Sequence, residues 1–232
     1  MKLKTQIIIL LSCLYITLQA QENDTVTDVD GNVYTTVEIG NKKWFAENLK
    51  TTTYKDGTPI PTVTNDADWE FLTTPALCWF NNDSSYLQRF GCLYNWYVVN
   101  TQNLCPTGWH VATDKDWEEL EIALGMDSTD VKKNNWRGSN QGNQLKADTS
   151  LWINGILGDS TSFAISGFKA MPGGIRGTNG GFDGNGAFTG WWTATTDNYS
   201  YAIYRKITSY GDVFKGSEDK RAGYSIRCVN NE

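Results

Sequence analysis

Leu104-Cys105-Pro106-Thr107-Gly108-Trp109-His110-Val111-Ala112-Thr113-Asp114-Lys115-Asp116-Trp117-Glu118-Glu119-Leu120 is the stretch whose reading decides the fold. It starts as an extended segment around His110 and turns into a helix at Thr113. Thr113 is an N-cap, and Asp116 three residues on completes a capping-box-like pair. Trp117, Leu120 and Leu124 then recur on one helical face, with Glu118, Glu119 and Glu121 on the other. Gly125 closes the element. The spacing predicts a helix over residues 114–124 that buries its tryptophan and keeps its glutamates in water. A second stretch, Gly223-Tyr224-Ser225-Ile226-Arg227-Cys228-Val229, reads as a strand near the other end of the chain. Each stretch carries one cysteine, so a bridge between them would enclose half of the chain in one domain.

Working outward, the chain begins Met1-Lys2-Leu3-Lys4, continues through apolar Ile7 to Leu11, and reaches Leu18-Gln19-Ala20. A short basic start, an apolar centre and a small residue before a cut site describe a secretory signal peptide over residues 1–20. The apolar run is broken by Ser12, Thr17 and Gln19 and falls short of the ~20 residues that span a bilayer. Leu10-Leu11-Ser12-Cys13 loosely resembles a bacterial lipobox, but Leu14-Tyr15-Ile16 after it still read as signal core, so simple export is preferred to lipid anchoring at Cys13. Removing residues 1–20 takes away Lys2 and Lys4 and no acid, which moves the formal charge from −6 to −8. An acidic surface disfavours nucleic acid and anionic headgroups as partners. No later segment is apolar for long enough to cross a membrane. Residues 21–28 read as a short polar, flexible lead, and 29–230 as a single domain.

Ten Trp, eleven Tyr and nine Phe stand beside 22 Gly and one His. Aromatic side chains bury ~150–250 Å² each, so a few of them can anchor long irregular segments. Four cysteines remain after export, Cys78, Cys92, Cys105 and Cys228, and they admit three disulfide connectivities. Zinc is disfavoured because there is no paired C-x₂-C spacing and only one histidine.

Val33 to Ile39 and Lys42 to Ala46, separated by Gly40-Asn41, read as a hairpin. Asp66 to Glu70 opens a short helical turn. Ala76 to Phe80 reads as a strand; Gly91 to Val99 fits a strand or a short helix. A weaker helical turn runs from Gly142 to Ala147. Met171 to Gly190 is so dense in glycine that it reads as loop. Strands follow at Trp191 to Thr195, Tyr201 to Ile207 and Ser225 to Val229.

Seven motifs in one order resemble the Fibrobacter succinogenes major paralogous domain, a family of exported bacterial proteins. They are Asp30 to Tyr34, Ile39 to Leu49 with its Lys43-Trp44-Phe45-Ala46-Glu47-Asn48 centre, Leu93-Tyr94-Asn95-Trp96, Cys105 to Val111, Gly167 to Gly174, Trp191-Trp192-Thr193-Ala194-Thr195, and Gly223 to Val229. The resemblance runs from about Asp28 to Asn230. Its cysteine positions imply a Cys105–Cys228 bridge. Family members usually have another residue in place of Cys92, so a Cys78–Cys92 bridge is expected only because the two lie in segments read as neighbouring strands. The layout is also similar to the C-type lectin fold as used by formylglycine-generating enzymes, which implies an α+β, loop-rich domain of short antiparallel strands and one main helix. The Glu-Pro-Asn and Trp-Asn-Asp calcium signatures of that fold are missing here, as is the paired-cysteine active site. No metal or other cofactor is therefore expected, and no catalytic residue is assigned.

His110 is read as structural, lying between Trp109 and Val111 with no evident acid–base partner, and the acids of 114–121 as helix-dipole and solvating groups. Trp191 and Trp192 alternate in a strand, so one is expected in the core and the other outward. Together with Asn179, Phe182, Asp183, Asn185 and Phe188 of the glycine-dense loop, the outward one forms the expected ligand surface, since loops on a rigid scaffold often carry binding residues. The reading is an exported, non-catalytic binding or surface module taking a polysaccharide or a surface protein. The alternatives are a glycan-active or formylglycine-generating-like enzyme and a structural part of a cell-surface assembly. A deep pocket with perturbed carboxylates would favour the enzyme, and a shallow aromatic surface the binder.

Overall fold

The computed structural model describes residues 24–147, 149–153 and 163–230. The expected export segment and Cys13 lie outside these residues. The architecture is sheet-rich α+β with a few short helices. A five-stranded sheet runs in the order β1 (Thr25–Thr27), β2 (Val33–Ile39), β3 (Lys42–Phe45), β13 (Cys228–Asn230) and β6 (Trp109–Val111). A six-stranded sheet runs β7 (Asn135–Arg137), β12 (Val213–Asp219), β11 (Tyr201–Thr208), β10 (Phe188–Thr196), β8 (Gly173–Arg176) and β9 (Phe182–Asn185). β4 (Leu77–Cys78) and β5 (Leu93–Tyr94) form a small antiparallel pair. The helices are α1 (Asp66–Glu70), α2 (Leu87–Phe90), α3 (Trp96–Val99), α4 (Asp114–Ala123) and α5 (Gln141–Leu145).

The last strand, β13, enters the middle of the first sheet, between β3 and β6, so the two ends of the domain share one sheet. Cys228 pairs in register with Val111, six residues from Cys105, and the expected Cys105–Cys228 disulfide is present with its Cα atoms 6.0 Å apart. Within the segment expected as a flexible lead, Thr25, Val26 and Thr27 pair with Thr35, Tyr34 and Val33. The cause is Asp28, whose carboxylate accepts from the Asp30 and Asn32 amides and from the Tyr34 hydroxyl at 2.7 Å, closing a tight turn into β2.

α4 has the predicted start. The Thr113 hydroxyl accepts from the Asp116 amide while the Asp116 carboxylate accepts from the Thr113 amide, a complete capping box. The helix ends at Ala123, and Gly125 takes a φ of +90° just beyond it. Trp117 and Leu120 are buried and Leu124 partly so. Trp117 meets Trp44, Phe168 and Trp191 at ring-centroid distances of 5.3, 5.5 and 5.3 Å, so one helical residue joins the two sheets.

The opposite face of α4 departs from expectation. Glu118 and Glu121 are buried, not solvated, because the six-stranded sheet turns cations toward them. Glu121 accepts from Arg137 and Arg205, while Asp114 and Glu118 share Lys215. Asp116 is bound by Lys42, His110 and Thr113, so the histidine does have an acidic neighbour, at 3.0 Å. Burial alone would raise the Asp114, Asp116 and Glu118 carboxyls. The Arg205 charge and Lys215 for Asp114, His110, Lys42 and Thr113 for Asp116, and Lys132 and Lys215 for Glu118 outweigh it and hold all three below the usual range. A carboxyl depressed in the folded state stabilises above its unfolded pKa of about 4 and loses that stabilisation as the pH falls. Urea midpoints are therefore expected to hold down to about pH 5 and to drop below about pH 4. A midpoint flat to pH 3 would show that these pairs do not stabilise the fold.

Cys78 and Cys92 are free thiols, contrary to the expected bridge. The register explains it. Cys78 stands opposite Leu93, so Cys92 is one residue out of step and its side chain leaves the other face of the pair. Cys78 packs with Trp69 and Phe80, whereas Cys92 packs with Tyr34 and Tyr94. Burial pushes both thiols up to about 12. In native, non-reduced protein neither should alkylate at pH 8, and peptide mapping after denaturation should find label on both and none on Cys105 or Cys228. Prompt labelling of native Cys78 or Cys92 would contradict this burial.

Candidate functional site

Neither tryptophan of the expected ligand surface is outward. Trp191 and Trp192 do face opposite sides of β10, but both are 0% exposed, because both faces of the six-stranded sheet are covered. Trp191 sits in the core with Trp117 and donates to Asn48 Oδ1. Trp192 packs on Tyr204 and Tyr224 and donates to the Tyr94 carbonyl. The glycine-dense segment is regular after all, forming β8, β9 and the start of β10. Gly173 lets the Phe90 ring approach, and Gly174, at φ +69°, sits where a Cβ would strike Phe80 and the Asp183 carbonyl.

This hairpin is pinned by Arg176, which donates to the carbonyls of Gly180, Val63 and Thr64 and to Asp66, with its guanidinium between the Trp69 and Phe182 rings. Phe182 is thus tucked against Phe80 and Arg176, and Phe188 lies against the Lys206 ammonium. Asn179 Oδ1 accepts from the Gly181 amide, Asp183 is exposed, and Asn185 is half-buried. Phe182 and Phe188 are both half-buried, so neither offers a bare aromatic surface.

Such a surface lies elsewhere. A groove of about 960 Å³ is lined by Phe71 and Thr73 after α1, by Trp96, Tyr97 and Asn100 of α3 and its end, by Thr196, Asn198, Tyr199 and Ser200 at the end of β10 and in the turn to β11, and by Asp219, Lys220 and Arg221 at and after the end of β12. Two rings on it are nearly bare: Phe71 is 76% and Tyr199 97% exposed. Their backbones are nonetheless fixed. Asn198 Oδ1 accepts from the Ser200 and Tyr201 amides, and the Lys220 ammonium donates to the Asn198 and Tyr199 carbonyls. Beside Phe71, the Leu72 amide returns to the Trp69 carbonyl and Arg221 donates to the Glu70 carbonyl.

The charges of the groove are satisfied internally. Arg221 grips Asp219 through Nε and Nη2 at 2.9 and 2.8 Å, and this bond, ahead of burial, lowers the Asp219 carboxyl and raises the guanidinium. Lys220 rests 4.6 Å from the Trp96 ring centroid, and burial lowers its ammonium. Burial, with the Asp219 charge, raises the Tyr97 hydroxyl. A smaller pocket of about 380 Å³ shares Trp96 and Asn100 with the groove and continues to Trp109, His110 and Lys55. Among the described residues no group of three or more His, Cys, Asp or Glu side chains is placed to hold a metal ion, and no helix is long and apolar enough to cross a membrane. The groove was missed in sequence because its residues come from four separate stretches. The one available signal was Tyr199 at the tip of the polar turn Asp197-Asn198-Tyr199-Ser200.

Residues 37–230 match the family model of the Fibrobacter succinogenes major domain. The chain belongs to that family. The match takes in the Cys105–Cys228 bridge, the whole six-stranded sheet and the groove. It begins inside β2, so β1 adds a strand outside the matched residues. No curated protein and no solved structure matches this member of the family.

Proposed function

We propose that this Fibrobacter succinogenes major domain protein is a non-catalytic binding module of a bacterial envelope, exported with residues 1–20 removed and built on a C-type-lectin-like fold. Its ligand is a surface polymer, either a polysaccharide or another surface protein, held in the aromatic groove. One observation carries the reading. Phe71 and Tyr199 expose large apolar rings at one groove on backbones that are already hydrogen-bonded in place. Exposed aromatics on a preorganised scaffold bind with little ordering cost. The carboxylate of the groove, Asp219, is spent on Arg221, which suits a binder better than an acid–base site. A disulfide across the domain suits an oxidising compartment outside the cytosol, and a charge of −8 after export suits a partner other than nucleic acid.

Phe71→Ala and Tyr199→Ala should each leave the melting temperature within about a degree or two, since exposed side chains away from special features change stability by roughly ±0.5 kcal/mol. On an array of purified bacterial and plant polysaccharides and purified surface proteins, each should weaken wild-type binding by about tenfold or more. Binding that neither substitution alters would remove the groove from the function.

A further inference from the structure

We propose that the groove takes an uncharged, linear polysaccharide that runs past Tyr199, over Asn100, and into the pocket beside Trp109. The proposal rests on the binding-module reading and specifies its ligand. The first argument is charge. Every cation along the path already has a partner. Arg221 is chelated by Asp219, Lys220 gives two protons to the Asn198 and Tyr199 carbonyls and lies on the Trp96 ring, and Lys55 donates to the Gln102 carbonyl at 3.3 Å. His110 is held by Asp116. An anionic polymer would have to break these bonds, and it would approach a protein whose charge after export is −8.

The second argument is the chemistry left over. Thr73, Asn100 and Ser200 are exposed on the groove with side-chain hydroxyl or amide groups that bond to nothing else in the described protein. Neutral donor–acceptor groups between aromatic faces match the alternating hydroxyl-bearing edges and apolar faces of sugar rings. The third is continuity. Trp96 and Asn100 line both the larger groove and the smaller pocket, so the two adjoin at these residues and together exceed what a single sugar needs. A short ligand would fill the Tyr199 end alone, and a longer chain would reach Trp109.

Calorimetric titration of the purified protein with neutral linear oligosaccharides of increasing length, and with uronate polymers, at low and high salt, tests this. The expected result is affinity for a neutral chain that rises with length and stays within about twofold between low and high salt, because no phosphate- or carboxylate-type ion pairing contributes. Asn100→Trp, a change at the exposed junction of groove and pocket, should abolish the gain with length. Tyr199→Ala should weaken every length by about tenfold or more. Preference for the uronate polymers, affinity that falls steeply with salt, no dependence on length, or no polysaccharide binding would each overturn the proposal. If uronates or a protein bind and Tyr199→Ala abolishes that binding, the groove stands and its neutral ligand falls. If Tyr199→Ala and Phe71→Ala change nothing, both fall.

Discussion

Glu121→Ala is expected to destabilise the protein by about 3–5 kcal/mol, the range for removing one partner of a buried ion pair. Glu121 and Arg205 are fully buried and Arg137 nearly so. The carboxylate accepts from Arg137 Nη2 at 2.8 and 2.6 Å and from Arg205 Nε at 2.8 Å. Without it the two arginines are not equally harmed. Arg205 keeps Asp114 at 2.7 Å, whereas Arg137 keeps only the Val213 carbonyl at 3.2 Å. Burial already pulls the Arg137 guanidinium down, and the Glu121 charge is what chiefly opposes that. The cost should therefore come from an orphaned Arg137, not from a lost methylene surface. Glu121→Leu combined with Arg137→Met and Arg205→Met should recover much of the loss, since hydrophobic replacement of a buried charged cluster is often neutral or stabilising. Urea unfolding of both variants decides it. A Glu121→Ala cost below about 1 kcal/mol would mean that water reaches the cluster, and a triple variant worse than the single one would mean that the charges fix the packing of α4 on β7 and β11.

That cluster also marks where sequence reading stopped. The start of α4 was legible because a capping box is local: Thr113 and Asp116 satisfy each other whatever surrounds them. The β2–β3 hairpin was legible for the same reason, with Gly40 at φ +66° making the turn. Glu121 was misread because its partners lie 16 and 84 residues away, and an acidic helix face looks the same whether it meets water or a sheet bearing arginines. Trp191 and Trp192 were read correctly as alternating but wrongly as half-exposed. A strand's period of two assigns sides, and only the tertiary structure says whether both sides are covered. Glycine density at 171–190 predicts irregularity, yet several of those glycines let strands pass close to Phe80, Phe90 and Phe188. The Cys78–Cys92 expectation failed on a register shift of one residue, which no spacing rule sees. The groove was hidden for a further reason: its aromatic rings are ordinary surface residues individually and become a site only where the ends of α1, α3, β10 and β12 converge.

Removing the Cys105–Cys228 bridge is expected to cost about 2–5 kcal/mol, near the upper end on the chain-entropy view because the cross-link closes a loop of more than a hundred residues. Its position adds a reason for a large effect. β13 is the final strand, yet it lies inside the five-stranded sheet, pairing with β3 on one side and β6 on the other. It therefore joins segments distant in sequence, and the bridge pre-pays the closure that this pairing requires. Both sulfurs are buried beside Leu104 and Val111, so Cys→Ala is the better probe than Cys→Ser, which would add an unpaired hydroxyl to the core. Cys105→Ala, Cys228→Ala and the double variant break the same single bond, so the double should cost little more than either single, a strongly non-additive cycle. Because the cross-link acts on the unfolded chain, its loss should also raise the urea m-value, reflecting a more expanded unfolded state. Single variants within about 1 kcal/mol of wild type would show that the terminal strand is held by its pairing and packing alone. Additive losses with an unchanged m-value would assign the effect to the cavities left at the two sulfurs.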